Sequence, residues 1–352
     1  MNPPISIARF FGRSLTKTLA VIAITVGSHA SVVKAQPVIA VGPDAQHVPV
    51  VKRITVNAIS GNDILSFAAY RRNFTGGVRV AVGDVNGDGV ADIITGPGPG
   101  MGSRVNVFDG VTGDRIRSFL AFTGFYRGGV FVAAGDVNGD GKADIIVGTD
   151  SGAPPIVRIF DGAQGHLIRS FFAYSPLFTG GVRVAAGDVN GDGIADIITG
   201  AGPGGAPHVK VFDGTNGSLL QSFFAYAPGF TGGVYVAAGD VNGDGFADII
   251  TGPGSGGGPQ VKVFDGVTLG TLKSFFAFDP TFLGGVRVAA GDVNGDGLAD
   301  IVTGAGPGAG PLVKVFESQS LTLLHSFFAY EANFTGGVFV GALGPRRRVG
   351  RR

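Results

Sequence analysis

The chain has 352 residues, 63 of them glycine and 19 proline, with 44% hydrophobic residues, only 15% charged ones and no cysteine. It is too apolar to be disordered, its glycines do not recur every third residue as in collagen, and no disulfide can staple it. The formal net charge is +1, but residues 36–345 carry 18 Lys and Arg against 26 Asp and Glu, a net −8 that excludes a nucleic-acid-binding balance.

Residues 1–35 read as a secretory signal. Arg9, Arg13 and Lys17 precede a short apolar core from Leu19 to Gly27, and small residues follow, with cleavage expected after Ala30 or Ala35. The core is shorter than the roughly 20 residues that span a bilayer as a helix; an uncleaved N-terminal anchor is the alternative. No later segment reaches spanning length without Gly, Pro or a charge, so the mature chain is expected to have no membrane span. A secreted, periplasmic or cell-surface location follows.

Residues 36–340 are dominated by a repeat. The segment Gly-Asp-Val-Asn-Gly-Asp-Gly places its first Asp at 84, 136, 188, 240 and 292, every interval being 52 residues. The units run 74–125, 126–177, 178–229, 230–281 and 282–333, without insertion or deletion. Each contains four short runs rich in Val, Ile and Phe, separated by Gly, Asp, Asn and Pro. The unit from Phe178 supplies GGVRVAAGD, ADIITG, HVKVFDG and LLQSFFAY. Four strands in about 50 residues, repeated, predict an all-β protein, a β-propeller of four-stranded blades. A β-helix is the rival, but its coils are usually shorter. The recurring Phe-Phe-Ala-Tyr, as at Phe171, Phe172 and Tyr174, is expected to pack between blades.

The two ends keep the same register. Ser66-Phe67 stands 52 residues before Ser118-Phe119, so residues 38–70 supply the second to fourth strands of an incomplete blade. Residues 334–340 supply only a first strand. Together they make one composite closing blade, giving six. The residue after Gly-Gly-Val alternates strictly as Arg79, Phe131, Arg183, Tyr235, Arg287 and Phe339, which suits an even ring. Residues 341–352 abandon the repeat for a basic tail, expected to be disordered, with five Arg among its last seven residues. A genuine tail and a truncated or frameshifted reading frame would both look like this.

The chemistry lies between the first and second runs. Positions 1, 3, 5 and 9 of the loop are Asp84, Asn86, Asp88 and Asp92, and again Asp136, Asn138, Asp140 and Asp144. They recur as Asp188, Asn190, Asp192 and Asp196, as Asp240, Asn242, Asp244 and Asp248, and as Asp292, Asn294, Asp296 and Asp300. Calcium takes six to eight oxygens at about 2.3–2.6 Å from carboxylates, amides, backbone and water. Gly at position 6 permits a sharp turn, which lets the carbonyl at position 7 face the ion. Position 7 is Val90, Lys142, Ile194, Phe246 or Leu298, a freedom that suits a backbone ligand. Thr or Val at position 12 and flanking strands set these loops apart from EF-hands. The loops do not suit zinc, because there is no Cys and the five His do not repeat. A metal-free hairpin turn is the plain alternative, but three Asp in each of five loops hold 15 of the 26 acidic residues. Such clusters are unfavourable without a cation; five Ca²⁺ would bring residues 36–345 to about +2.

On these loops, the Phe-x-Gly-Gly starts and the Gly-Ala-Gly-Pro run from Gly200 to Pro203, residues 38–340 resemble the FG-GAP or VCBS repeat family, as in the N-terminal propeller of integrin α subunits. The resemblance implies calcium at the five loops and a role in adhesion, recognition or ligand binding, mostly without catalysis. It also implies seven blades as the alternative to six, and a sixth loop whose first Asp would fall at Gly344, where none exists.

Strand alternation puts the calcium loops and the Asp-Gly turns at one end of the blades, and the Gly-Pro loops and blade connections at the other. The second face varies between copies (Met101 to Arg104, Ser151 to Pro155, Gly205 to His208, Gly257 to Gln260) and is the candidate ligand face. No Ser-His-Asp arrangement, phosphate-binding loop or zinc-protease motif is present, so a non-catalytic module is expected, its partner an extracellular protein or glycan. A lectin-like sugar binder and a calcium-dependent polysaccharide hydrolase or lyase are the alternatives.

Overall fold

The computed structural model describes residues 37–55, 63–123 and 125–343; residues 1–36, where a signal segment is expected, and residues 344–352 of the expected tail lie outside them, while Gly341, Ala342 and Leu343, expected to belong to that tail, instead end a paired strand. Among the described residues all regular elements are strands, grouped in six four-stranded antiparallel sheets. In the third repeat the strands Val182–Gly187, Asp196–Ala201, His208–Phe212 and Leu219–Phe224 pair in chain order. The second strand is wholly buried, as its run of Ile, Thr, Gly and Ala requires. Adjacent residues of a strand point to opposite faces, so Ile197 and Ile198 fill the interfaces with two different neighbours. The fourth strand alternates and forms the half-exposed outer edge.

We number the blades 1 to 5 by the repeats beginning at residues 74, 126, 178, 230 and 282. The sixth is composite. Val338–Leu343 pairs antiparallel with Val38–Pro43, in register Val41 to Val340, and Val50–Thr55 and Asp63–Ala68 complete the sheet. The innermost strands then form a closed ring of six, so the seven-bladed alternative is set aside.

Close approach of the blades depends on small residues. A Cβ on Gly135 would stand 2.7 Å from Ala186 Cβ and 2.8 Å from Ala195 Cβ of the next blade. Every interface also carries a polar pin. Lys210 Nζ donates to Ala173 O at 3.1 Å, and Asn106, Arg158, Lys262, Lys314 and Lys52 make the equivalent bond to the preceding blade. Beside it, the Tyr174 hydroxyl donates to His208 O at 2.8 Å. The Phe-Phe pair divides its roles. Phe171 packs on Phe212 with centroids 4.9 Å apart, as expected, whereas Phe172 is 50% exposed on the outer strand.

Candidate metal centre

In blades 1 to 5 the loop between the first two strands is folded around its own acidic side chains. In blade 1, Asp84 accepts from the N–H groups of Gly87 at 2.7 Å and Gly89 at 3.1 Å. Asn86 Oδ1 accepts from Asp88 N at 2.8 Å, and Asp88 Oδ1 from Val90 N at 2.7 Å. Gly87 and Gly89 have φ of +82° and +87°, a region open to glycine at little cost. Asp92 begins the second strand and is wholly buried; it accepts from Val85 N at 3.0 Å with one oxygen and from Gly110 N at 3.0 Å with the other. The bonds of Asp84 and Asp92 recur at Asp136 and Asp144, Asp188 and Asp196, and Asp240 and Asp248. Asp292 and Asp300 repeat all but the last, because Asp300 Oδ1, buried, has no hydrogen-bond partner.

Burial, with neighbouring carboxylates adding to it, pushes the carboxyls of Asp92, Asp144, Asp248 and Asp300 up to about 6, and raises Asp196 as well. Charge is therefore costly at position 9 in every loop. The donors are all hard oxygens, and in blade 4 Asp244, Asp248 and Asp265 each bring an oxygen within 4.8 Å of the others. An orphaned buried oxygen, destabilised carboxylates and an oxygen-only donor set fit a divalent cation of calcium's hardness.

The sequence reading did not include Asp265. It lies in the turn after the third strand, where Asp109, Asp161, Asp213 and Glu317 recur, and the repetition of Asp-Gly was the available signal. Asn242 Nδ2 donates to Asp265 Oδ2 at 3.3 Å, and Asn138 Nδ2 to Asp161 Oδ2 at 3.2 Å, so this turn reaches the loop. Position 7 also has a use beyond its carbonyl. A Cβ on Gly87, Gly139, Gly191 or Gly243 would meet Lys142, Ile194, Phe246 or Leu298 of the following blade at 2.4 to 3.1 Å. Its side chains thus cover the neighbouring loop. A backbone bond joins the same loops: Ala143 N donates to Asp84 O at 2.8 Å, with equivalents from Ala195 to Asp136, Ala247 to Asp188 and Ala299 to Asp240.

The opposite face carries repeated clefts of about 300 Å³ between blades. One is lined by Tyr174, Phe178, His208, Lys210 and Phe224, the next by Tyr226, Phe230, Gln260, Lys262 and Phe276. Among the described residues no helix is long and apolar enough to cross a membrane.

A family model described as an FG-GAP-like repeat matches residues 136–199 and 188–251, and one described as an FG-GAP repeat matches 76–107 and 284–313. Among solved structures, a protein of unknown function from Bacteroides caccae is 10% identical with a TM-score of 0.51, over 87% of this chain and 98% of that one. A rhamnogalacturonan lyase, YesW, is 14% identical with a TM-score of 0.43, over 83% of this chain and 63% of that one. The Bacillus licheniformis rhamnogalacturonan lyase PL11 is 12% identical with a TM-score of 0.42, over 86% and 68%. The chain spans 63% and 57% of the lengths of the rhamnogalacturonan lyases YesW and YesX. Identities this low speak to the fold alone.

Proposed function

We propose that this chain, which belongs to the FG-GAP repeat family, is an exported calcium-binding propeller that acts as a non-catalytic binding or adhesion module. The observation that carries the calcium reading is the buried carboxylate at position 9. It is repeated in all five loops with Asp at positions 1 and 5 beside it, and its charge is disfavoured where it stands. The residues that would hold the ion are the Asp and Asn of positions 1, 3, 5 and 9, with the position 7 carbonyl and, in blade 4, Asp265. Bound calcium supplies positive charge and a cross-link between two strand ends, in a chain without disulfides. Sites with Kd on the order of 10⁻⁴–10⁻³ M would serve outside the cell.

Calorimetric titration of calcium into chelator-treated protein tests this. Uptake of one ion per loop, with a rise in Tm, is expected, and no uptake would overturn it. The ligand reading rests on the face opposite the loops, where a rigid scaffold presents variable turns to an extracellular protein or glycan. The repeated clefts favour a second reading, a lectin-like multivalent sugar binder, because each joins aromatic faces to a Lys and a further polar group. Glycan-array binding without turnover supports the lectin; capture of a purified protein partner with a blank array supports adhesion.

A further inference from the structure

The mouth of the central channel, on the Gly-Pro face, holds six side chains that the calcium reading does not use. Arg79, Phe131, Arg183, Tyr235, Arg287 and Phe339 each stand second on an innermost strand and meet around the axis. The three aromatic rings lie edge to face, with centroids 6.2, 6.2 and 6.4 Å apart. Each guanidinium lies over two of these rings, at 4.7 to 5.4 Å. All three Arg are buried, Arg183 being 6% exposed.

Two of the three have a carboxylate. Asp150, the first residue after the second strand of blade 2, accepts from Arg79 at 2.5 Å. Asp44 stands at the same point of the composite blade and accepts from Arg287. The following N–H donates to each carboxylate as well, Ser151 N at 2.7 Å and Ala45 N at 2.8 Å. The third equivalent position, two blades beyond Asp150, is Gly254. Its amide makes the same bond, Gly254 N donating to Gly233 O at 2.8 Å as Asp150 N does to Gly129 O and Asp44 N to Gly337 O, both at 3.0 Å, but Gly232 O stands 1.9 Å from where a Cβ would lie.

Among the described residues Arg183 is therefore left with the Ala201 carbonyl, at 3.1 Å, as its hydrogen-bond acceptor. The N–H of Ser255 lacks the carboxylate that its two counterparts have. Among the described residues three Arg face two Asp, so one positive charge is buried at the channel mouth without a carboxylate beside it, an unfavourable arrangement unless something offsets it. The void at the centre of the ring, about 50 Å³, is lined by the six side chains and by the valines that follow them.

We propose that Arg183 and the Ser255 N–H form an anion site that takes the carboxylate of a ligand, at the place that Asp150 and Asp44 fill in the other two sectors. The guanidinium offers the planar donor pair that suits a carboxylate, and its stacking on Phe131 and Tyr235 holds it in place.

Acetate is the probe, against chloride at equal ionic strength and constant saturating calcium. Wild type is expected to show a saturable rise in Tm, and Arg183→Gln to lose it. Asp150→Gly, which puts beside Arg79 the glycine that the other four repeats carry at that turn, should melt below wild type and recover in acetate, with two sites by calorimetry where wild type has one. Gly254→Asp is not the test, because its Cβ would stand 1.9 Å from Gly232 O and the chain would have to shift. A wild-type Tm that moves no more in acetate than in chloride overturns the proposal, as does an undiminished rise in folded Arg183→Gln. Should that variant not fold, equal site numbers in wild type and Asp150→Gly overturn it. A sugar acid that competes with acetate assigns the carboxylate to a larger ligand; failure to compete assigns it to a free small anion.

Discussion

Position 9 of each loop is where single residues matter most. Asp92, Asp144, Asp248 and Asp300 have folded-state carboxyls near 6, above the ordinary value of about 4, and Asp196 is raised as well. Between those two pH values the unfolded chain ionises while the folded one keeps its protons, so these groups lower the stability of the ion-free protein as pH rises from about 4 to about 6. Calcium needs the ionised form and reverses the sense. The difference in Tm between calcium and chelator is therefore expected to grow from pH 5 to pH 7; a difference that stays flat would count against these carboxylates as ligands. The loop motif was readable from four oxygen-bearing positions at fixed spacing. The approach of Asp265 was not, because a turn 25 residues away in the chain reaches the loop only when the third strand pairs back on the second.

Strands of this propeller are held together by what separates them. Gly135 lies at the end of an innermost strand with two alanine Cβ atoms of the next blade under 3 Å from where its own would be. Gly135→Val should cost about 1–3 kcal/mol through overpacking, measured as a lowered urea midpoint with an unchanged slope. Tyr174→Phe leaves the His208 carbonyl without that donor and should cost about 1–3 kcal/mol. Neither contact was legible in the sequence as such. The glycine marked a place where something comes close, and the tyrosine marked an interface; the partner of each depends on how neighbouring blades dock. The exposed second phenylalanine, Phe172, shows the same limit. A Phe-Phe pair has an inner and an outer face only once the strand is known to be the edge of its sheet.

At the scale of the whole ring, closure depends on one strand from the far end of the chain. Val338–Leu343 covers the inner edge of Val38–Pro43 and completes the circle. A chain stopped after residue 333 exposes that edge and breaks the ring, so light scattering should show association or aggregation where the full chain stays monodisperse. Chelation is expected to act more gently. On the proposed reading it would remove charge compensation from five loops joined blade to blade by backbone bonds, and should lower Tm without separating the chain ends. An EGTA-treated protein with an unchanged Tm would remove calcium from any structural role.

The 52-residue period, the four strand runs in each unit and the split blade at the ends determined the propeller from sequence alone, because a unit that cannot bury its own faces must stack on copies of itself. The alternation of Arg with aromatic residues after Gly-Gly-Val pointed to an even ring, and the ring closes with six. Only the tertiary structure decided which Arg has a counter-ion. Arg79 and Asp150 are 71 residues apart, Arg287 and Asp44 243 apart, and Arg183 faces a glycine. Charges pair through space at the channel mouth, and sequence spacing carries no such distance.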